Sequence, residues 1–346
     1  MPQRRALAAP RQRDGGHARG DGTAHRAELA RRHRRPRADQ LRESERVGGG
    51  RSARCFVTPR AIEDLPTTFT PRAAVLDIDG TLIDDDLVLQ PRTAAAVRHA
   101  TVPIILATGR MYTSALPWAR ELQVSLPLVC YQGALVRALP RGDTPGQVIF
   151  EEGLAPAVAL AAIAIAREHD WHRQAYANDM LYCEQDRPEA HLYAAIAQVP
   201  IQFVEDLDEV VRNGSTKVVC VSEDRAVVEA CVKALTEGLG DRARVTRSMS
   251  SFIEVVSPRV NKSLAIELVC STLGLSLSDA VAVGDAPNDI EMLKAAGCGV
   301  AVRGGRPEVL AAADATCGVP AEAGVADVLE HFGLTGTALS LAPSMR

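Results

Sequence analysis

The chain has 346 residues, 47% of them hydrophobic, and a formal net charge of −4. That length accommodates about two domains, and the apolar fraction is ample for a packed core, which excludes a wholly disordered or fibrous chain. The charge is uneven: residues 1–60 hold 16 Arg, no Lys and 6 acidic residues, a net +10, which leaves −14 for the remainder.

Nothing reads as a membrane span, because the most apolar run, Ala155–Ala166, is shorter than the roughly 20 residues a spanning helix needs. The charged N-terminus has no apolar stretch behind it, so no secretory signal is expected. The cysteines are Cys55, Cys130, Cys183, Cys220, Cys231, Cys270, Cys298 and Cys317, with no C-x-x-C pair among them. Such scatter, partly inside apolar runs, suits free thiols in a reducing cytoplasm rather than a disulfide framework or a zinc site. Lysine occurs only at 217, 233, 262 and 294, so arginine is the default cation and each lysine needs a reason.

Residues 1–68 are rich in Arg, Gly, Ala and Gln and lack apolar periodicity. They bury too little apolar surface to offset the entropy of ordering and read as a disordered extension. Three roles compete for it: a basic tail touching nucleic acid or anionic surfaces, a targeting peptide, or a weakly constrained extension. The last is favoured, and nucleic acid is not an expected partner of the rest.

Order begins near 71. Ala73-Ala74-Val75-Leu76 reads as a buried parallel strand. It ends in Asp77-Ile78-Asp79-Gly80-Thr81-Leu82. Two carboxylates at a strand's carboxyl end repel one another. Either a hard cation such as Mg²⁺ sits between them, or they are two solvated acids capping a strand. A helix at 91–100 follows, opened by Pro91. The strand 102–107 ends in Thr108-Gly109-Arg110, where a hydroxyl and a glycine can meet a phosphoryl group. A helix at 111–122, a strand at 126–130 and Tyr131-Gln132-Gly133 come next.

From 152 to 250 the pattern becomes mixed. Helices are expected at 156–168, 187–197, 206–212 and 224–238. Strands are expected at 173–177, 180–184, 201–204, 216–222 and 242–247, with Asn178-Asp179 as a two-residue turn. This suggests an α+β unit with its own sheet. His172, Arg173, Tyr176, Asn178 and Tyr182 are its candidates for facing a site. Lys217, inside a strand with no helix directly after it, reads as structural.

The strand at 252–256 leads through Val260-Asn261 to Lys262, which opens a helix at 262–273. A lysine at a helix N-terminus is locally unfavourable unless an anion sits there too, and a compact point charge distinguishes it from arginine. The strand 280–283 ends in Gly284-Asp285-Ala286-Pro287-Asn288-Asp289. This places Asp285 at a strand end and Asp289 in the first turn of a helix at 288–296. A strand at 299–302, helices at 307–312 and 323–332, and a flexible tail from 335 to 346 close the chain.

The four stretches around Asp77–Leu82, Thr108–Arg110, Lys262 and Gly284–Asp289 resemble, in that order, the motifs of the haloacid dehalogenase (HAD) superfamily of phosphatases. Their spacing is similar to the Cof-type branch, with a type IIB cap between the second and third motifs. The resemblance spans about 71–334. It implies an α/β fold: a Rossmann-like parallel-sheet HAD core, 71–151 and 251–334, with an inserted α+β cap domain at 152–250.

It also implies a mechanism. Asp77 would be the nucleophile that becomes an aspartyl-phosphate, and Asp79 the general acid and base. Mg²⁺ would be held by Asp77, the Asp79 carbonyl, Asp285 and Asp289. Thr108 and Lys262 would hold the phosphoryl group, with Gly109, Arg110 and Asn288 completing the substrate contacts. The expected function is hydrolysis of a small phosphorylated metabolite, such as a sugar phosphate or a nucleotide-like cofactor, in the cytoplasm. The alternatives are phosphomutase or phosphotransferase chemistry on the same scaffold, or a non-enzymatic binding protein whose basic tail contacts nucleic acid. Two positions depart from the branch: Gln132 where it usually has Asn, and Arg303-Gly304-Gly305 where it usually has an Asn-Ala pair.

Overall fold

Residues 59–249 and 251–336 are described by the computed structural model, side chains at 248 and 249 excepted. A six-stranded, all-parallel sheet forms the first block. Its order is Arg60–Ala61, Ala315–Cys317, Cys298–Val302, Ala280–Gly284, Ala73–Leu76 and Ile104–Leu106. The strand Ala73–Leu76 is 0% exposed throughout, as a parallel strand covered on both faces requires. Leu76 pairs with Val283 on one side and Leu106 on the other. That register brings the ends of three strands out together, so Asp77, Asp285 and Thr108 emerge side by side.

The second block carries its own six-stranded sheet, ordered Arg244–Met249, Phe252–Val256, Lys217–Val221, Arg173–Ala177, Met180–Cys183 and Ile201–Phe203. Its ladders are antiparallel except the last pair. Alternation divides the side chains. Ala175, Val218, Cys220, Ile253 and Val255 pack under helices Pro156–Glu168, Leu207–Arg212 and Arg225–Leu239. Tyr176, Val219, Val221, Phe252 and Val256 face the other way and join the core cluster of the first block.

Several expectations need correction. The boundary at 250/251 falls within a ladder, because Phe252–Val256 pairs with both Lys217–Val221 and Arg244–Met249 and so belongs to the second sheet. The extension expected to be disordered to 68 is ordered from 59: Arg60–Ala61 pairs in parallel with Ala315–Thr316, and Ile62 is 1% exposed. Residues 1–58 lie outside the described residues. In the tail, Thr335 bridges Ala100 and the Gly336 amide donates to the His99 carbonyl at 2.8 Å; residues 337–346 lie outside the described residues. The strand Leu128–Cys130 meets the main sheet through one bridge, Ala107 to Val129. Its ladder is a separate three-stranded antiparallel sheet with Leu135–Arg137 and Val148–Glu151, two strands the sequence reading does not contain.

The chain passes from the first block to the second at 151–156 and returns at 256–262. Glu152 ties the crossings together. Its Oε1 accepts from Ser257 Oγ at 2.8 Å and from Arg259 Nη2 at 2.6 Å. No helix among the described residues is long and apolar enough to cross a membrane.

Candidate active site

Asp77 lies one residue beyond the strand Ala73–Leu76 and Asp285 one residue beyond its neighbour Ala280–Gly284. Gly80 makes the turn that lets them meet. Its φ of +73° suits glycine, and a Cβ there would stand 2.4 Å from the Asp285 carboxylate. Thr81 Oγ1 donates to Asp285 Oδ1 at 2.9 Å. Asp289 follows in the turn Pro287–Asp289, and its Oδ2 accepts from the Asp285 and Ala286 amides at 3.1 and 3.0 Å. Oxygens of Asp77, Asp285 and Asp289 lie within 4.8 Å of one another.

Lys262 enters from the opposite side. Asn261 caps its helix, accepting from the Leu264 amide at 3.2 Å. The ammonium, on a residue 2% exposed, donates to Asp77 Oδ1 and Asp289 Oδ1 at 2.6 Å each. Burial opposes its charge, but Asp289 and Asp77 outweigh burial and hold it protonated. Burial pushes the Asp77 carboxyl well above the usual range; Lys262 pulls it back, while Asp289 and Asp285 push it up again. Burial and then Asp289 push the Asp285 carboxyl up to about 7.

This donor set fits a hard divalent cation. Three carboxylates supply oxygen ligands only, as Mg²⁺ prefers, and their crowding is relieved by positive charge. The Asp79 carboxylate is turned elsewhere. Arg110 Nε donates to its two oxygens at 3.0 and 2.9 Å, and Nη2 to Oδ1 at 2.6 Å. Arg110 Nη1 donates to Ser114 Oγ at 2.9 Å and to the Ile196 carbonyl, in the second block, at 3.2 Å.

Thr108 is buried, and its Oγ1 accepts from the Arg110 amide at 3.1 Å. Gly109 is closely covered: a Cβ would lie 2.5 Å from the Gln132 amide nitrogen. Gln132, at φ 61°, accepts at Oε1 from Asn288 Nδ2 at 2.6 Å. Asn288 Oδ1 is buried with no partner among the described residues, so a hydrogen-bond donor brought to that spot would be favoured.

Several of these residues border one pocket, while Thr108, Lys262, Asp285 and Asp289 lie behind its lining. Its floor includes Asp77, Asp79, Gly109, Arg110, Gln132 and Asn288. Its wall, from the second block, is Tyr193, Ile196, Ala197, Phe252 and Glu254. None of the five wall residues is among the candidates expected from the second block, and none of those candidates lines the pocket. His172 pairs with Gln174 at 3.1 Å, Arg173 with Glu184, and Tyr176 accepts from Gln174 Nε2 at 2.6 Å. Asn178 is exposed in its turn, and Tyr182 packs on the helix side of the sheet. The available signal was Glu254, a lone acid within the apolar strand Phe252–Val256.

Lys217 is 0% exposed and donates to Glu254 Oε1 at 2.8 Å and to the Gly109 carbonyl at 3.3 Å. Its ammonium also lies 4.9 Å from the Tyr176 ring centre, a cation–π contact. Lys217 does not border the pocket.

The sequence profile of the haloacid dehalogenase-like hydrolases matches residues 74–329. The HMP-PP phosphatase of Cronobacter sakazakii is 28% identical over 246 residues, 69% of this chain and 87% of that protein. The Arabidopsis thaliana protein named Endoribonuclease YBEY, chloroplastic, is 25% identical over 270 residues, which make up 74% of this chain but 45% of that protein. The crystal structure of TM0651 from Thermotoga maritima superposes with a TM-score of 0.65 at 28% identity, covering 75% of this chain and 97% of that one.

Proposed function

The chain belongs to the haloacid dehalogenase-like hydrolase family, and from that premise we propose that it is a Mg²⁺-dependent phosphatase of small phosphorylated metabolites. The observation that carries this is Asp77: a buried carboxylate at the end of the strand Ala73–Leu76, held at one oxygen by Lys262 and within 4.8 Å of Asp285 and Asp289. The relative named HMP-PP phosphatase supports a small substrate. Residues 152–250 together with the strand Phe252–Val256 act as a cap, whose wall confines the leaving group and keeps out water.

Asp77, Asp285 and Asp289 would hold the ion, with the Asp79 carbonyl as a further ligand. When bound, Mg²⁺ would neutralise charge on the transferring phosphoryl group. Lys262 pins Asp77 in place and adds positive charge where the phosphoryl oxygens gather. Thr108 and the Gly109 backbone complete the cradle, while the free Oδ1 of Asn288, an acceptor, suits a hydroxyl of the leaving group. A carboxylate oxygen of Asp77 attacks phosphorus in line as the bond to the leaving oxygen breaks, giving an aspartyl-phosphate. Asp79 gives that leaving oxygen its proton, then takes one from the water that hydrolyses the intermediate. Arg110 grips Asp79 in the structure. The substrate's phosphoryl oxygens compete for this guanidinium, and the Asp79 carboxyl released from it can carry a proton. The setting is cytoplasmic, a reading supported by seven free, buried cysteines among the described residues.

The test is phosphate release from a panel of phosphorylated metabolites, with Mg²⁺ and with EDTA. Metal-dependent release is expected. No release from any compound overturns the proposal, and transfer to an added alcohol in place of water would make the enzyme a phosphotransferase.

A further inference from the structure

Helix Tyr112–Glu121 begins directly after Arg110-Met111, yet the residue before it, Met111, supplies no capping side chain. A helix start leaves amide groups without partners, and a buried start needs them satisfied. The partner comes from the second block. At the tip of the hairpin Arg173–Cys183, Asn178 and Asp179 adopt φ of 51° and 59°, the left-handed pair that a two-residue turn of this kind uses. This conformation swings the Asp179 carboxylate onto the helix start. Its Oδ1 accepts from the Tyr112 amide at 2.9 Å and the Tyr131 hydroxyl at 2.8 Å, and its Oδ2 accepts from the Thr113 amide at 2.9 Å. Burial pushes this carboxyl upward, while Tyr131 and the two amides pull it back.

The capped turn carries Ser114, which holds Arg110 Nη1, and Arg110 in turn holds both oxygens of Asp79. Two further contacts from the second block end on the same stretch: Lys217 on the Gly109 carbonyl, and the Ile196 carbonyl on Arg110. We propose that Asp179 is a positioning residue for hydrolysis: it fixes the first turn of helix Tyr112–Glu121, and through Ser114 it sets where the Arg110 guanidinium lies, the group that holds Asp79 in the structure and for which the phosphoryl oxygens compete. This rests on the acid–base role given to Asp79 above. Asp179 itself touches no reacting atom.

The experiment compares Asp179→Ala and Asp179→Asn with wild type, reading kcat, KM and amide hydrogen exchange. Displacing a catalytic group by about 1 Å costs up to about 100-fold. Asp179→Ala should therefore lower kcat by about 10- to 100-fold with KM changed by less than about threefold. Asn accepts the left-handed turn and is a good helix cap, but only one of its two terminal atoms accepts, so Asp179→Asn should recover part of kcat and stand clearly above the alanine variant. Exchange at Tyr112 and Thr113 should rise in the alanine variant while the central strands stay protected. Unchanged exchange at those amides overturns the capping claim. Raised exchange with kcat within twofold of wild type, or asparagine no better than alanine, overturns the positioning claim. If wild type hydrolyses no phosphomonoester, the phosphatase reading fails and the positioning claim with it, while exchange still decides whether Asp179 holds the turn.

Discussion

Replacing Lys262 with methionine keeps the side chain's length and removes its charge. The ammonium makes two hydrogen bonds of 2.6 Å, to Asp77 and Asp289, and all three residues are buried. A hydrogen bond to a charged group nets about 1.5–3 kcal/mol, so the pair amounts to about 3–6 kcal/mol. Bound Mg²⁺ compensates part of the carboxylate charge, which puts the loss in turnover near the lower bound of about 3 kcal/mol, or about 10²-fold in kcat. That is the scale seen when one preorganised donor is removed from a developing anion. The assay is kcat at saturating substrate and Mg²⁺, well below each variant's Tm. Lys217→Met is the control. Lys217 is as deeply buried, but its carboxylate partner is Glu254 at 2.8 Å, not Asp77 or Asp289. Losing it strands a buried carboxylate and should cost about 3–5 kcal/mol of stability, with kcat falling less than in Lys262→Met. If Lys262→Met keeps kcat within tenfold of wild type, or Lys217→Met loses as much turnover, the assignment of the phosphate-side cation is wrong.

Asp77→Asn should reduce metal-dependent phosphate release to background while circular dichroism stays native; release above one tenth of wild type would remove Asp77 as nucleophile. The Asp285 carboxyl, raised to about 7, binds a proton in the folded state that the unfolded chain has already lost. Stability of the metal-free protein should therefore fall as pH rises from about 4 to 7, and Mg²⁺ should bind more tightly as pH rises through 7 because Asp285 must release its proton first. Calorimetry at several pH values checks this, and flat Mg²⁺ affinity between pH 6 and 8 would contradict it. Gly80→Ala forces a Cβ to 2.4 Å from the Asp285 carboxylate at φ +73°. It should cost about 1–3 kcal/mol in Tm scans and weaken Mg²⁺ binding; a Tm equal to wild type would mean the turn is not strained by a side chain.

The positions of Asp77, Thr108, Lys262 and Asp285 in the fold were legible because each sits where a local pattern changes: an apolar run ending in a carboxylate or hydroxyl, or a lysine opening a helix. Parallel register brings the three strand ends together, and Lys262 arrives on the helix that follows the second block. What stayed hidden depends on contacts between distant segments. Arg60–Ala61 is a strand only because Ala315–Thr316 lies beside it. The strands Leu135–Arg137 and Val148–Glu151 are too short to show a period, and a segment containing Pro140, Gly142, Pro145 and Gly146 separates them. Tyr193 and Ile196 look like ordinary helix residues until the second sheet turns them toward the pocket. Asp179 was passed over for Asn178 because a turn's sequence says nothing about which of its side chains meets another part of the molecule.

Glu152 holds the two chain crossings together through Ser257 and Arg259. Two tethers free to part would let the cap tumble on a leash. Pinned side by side, they would confine any movement of the cap to a single axis, like a door on one hinge pin. Lys262 stands only six residues beyond Val256, the last residue of the second sheet's returning strand, so any such movement would pull on the stretch that leads to Lys262.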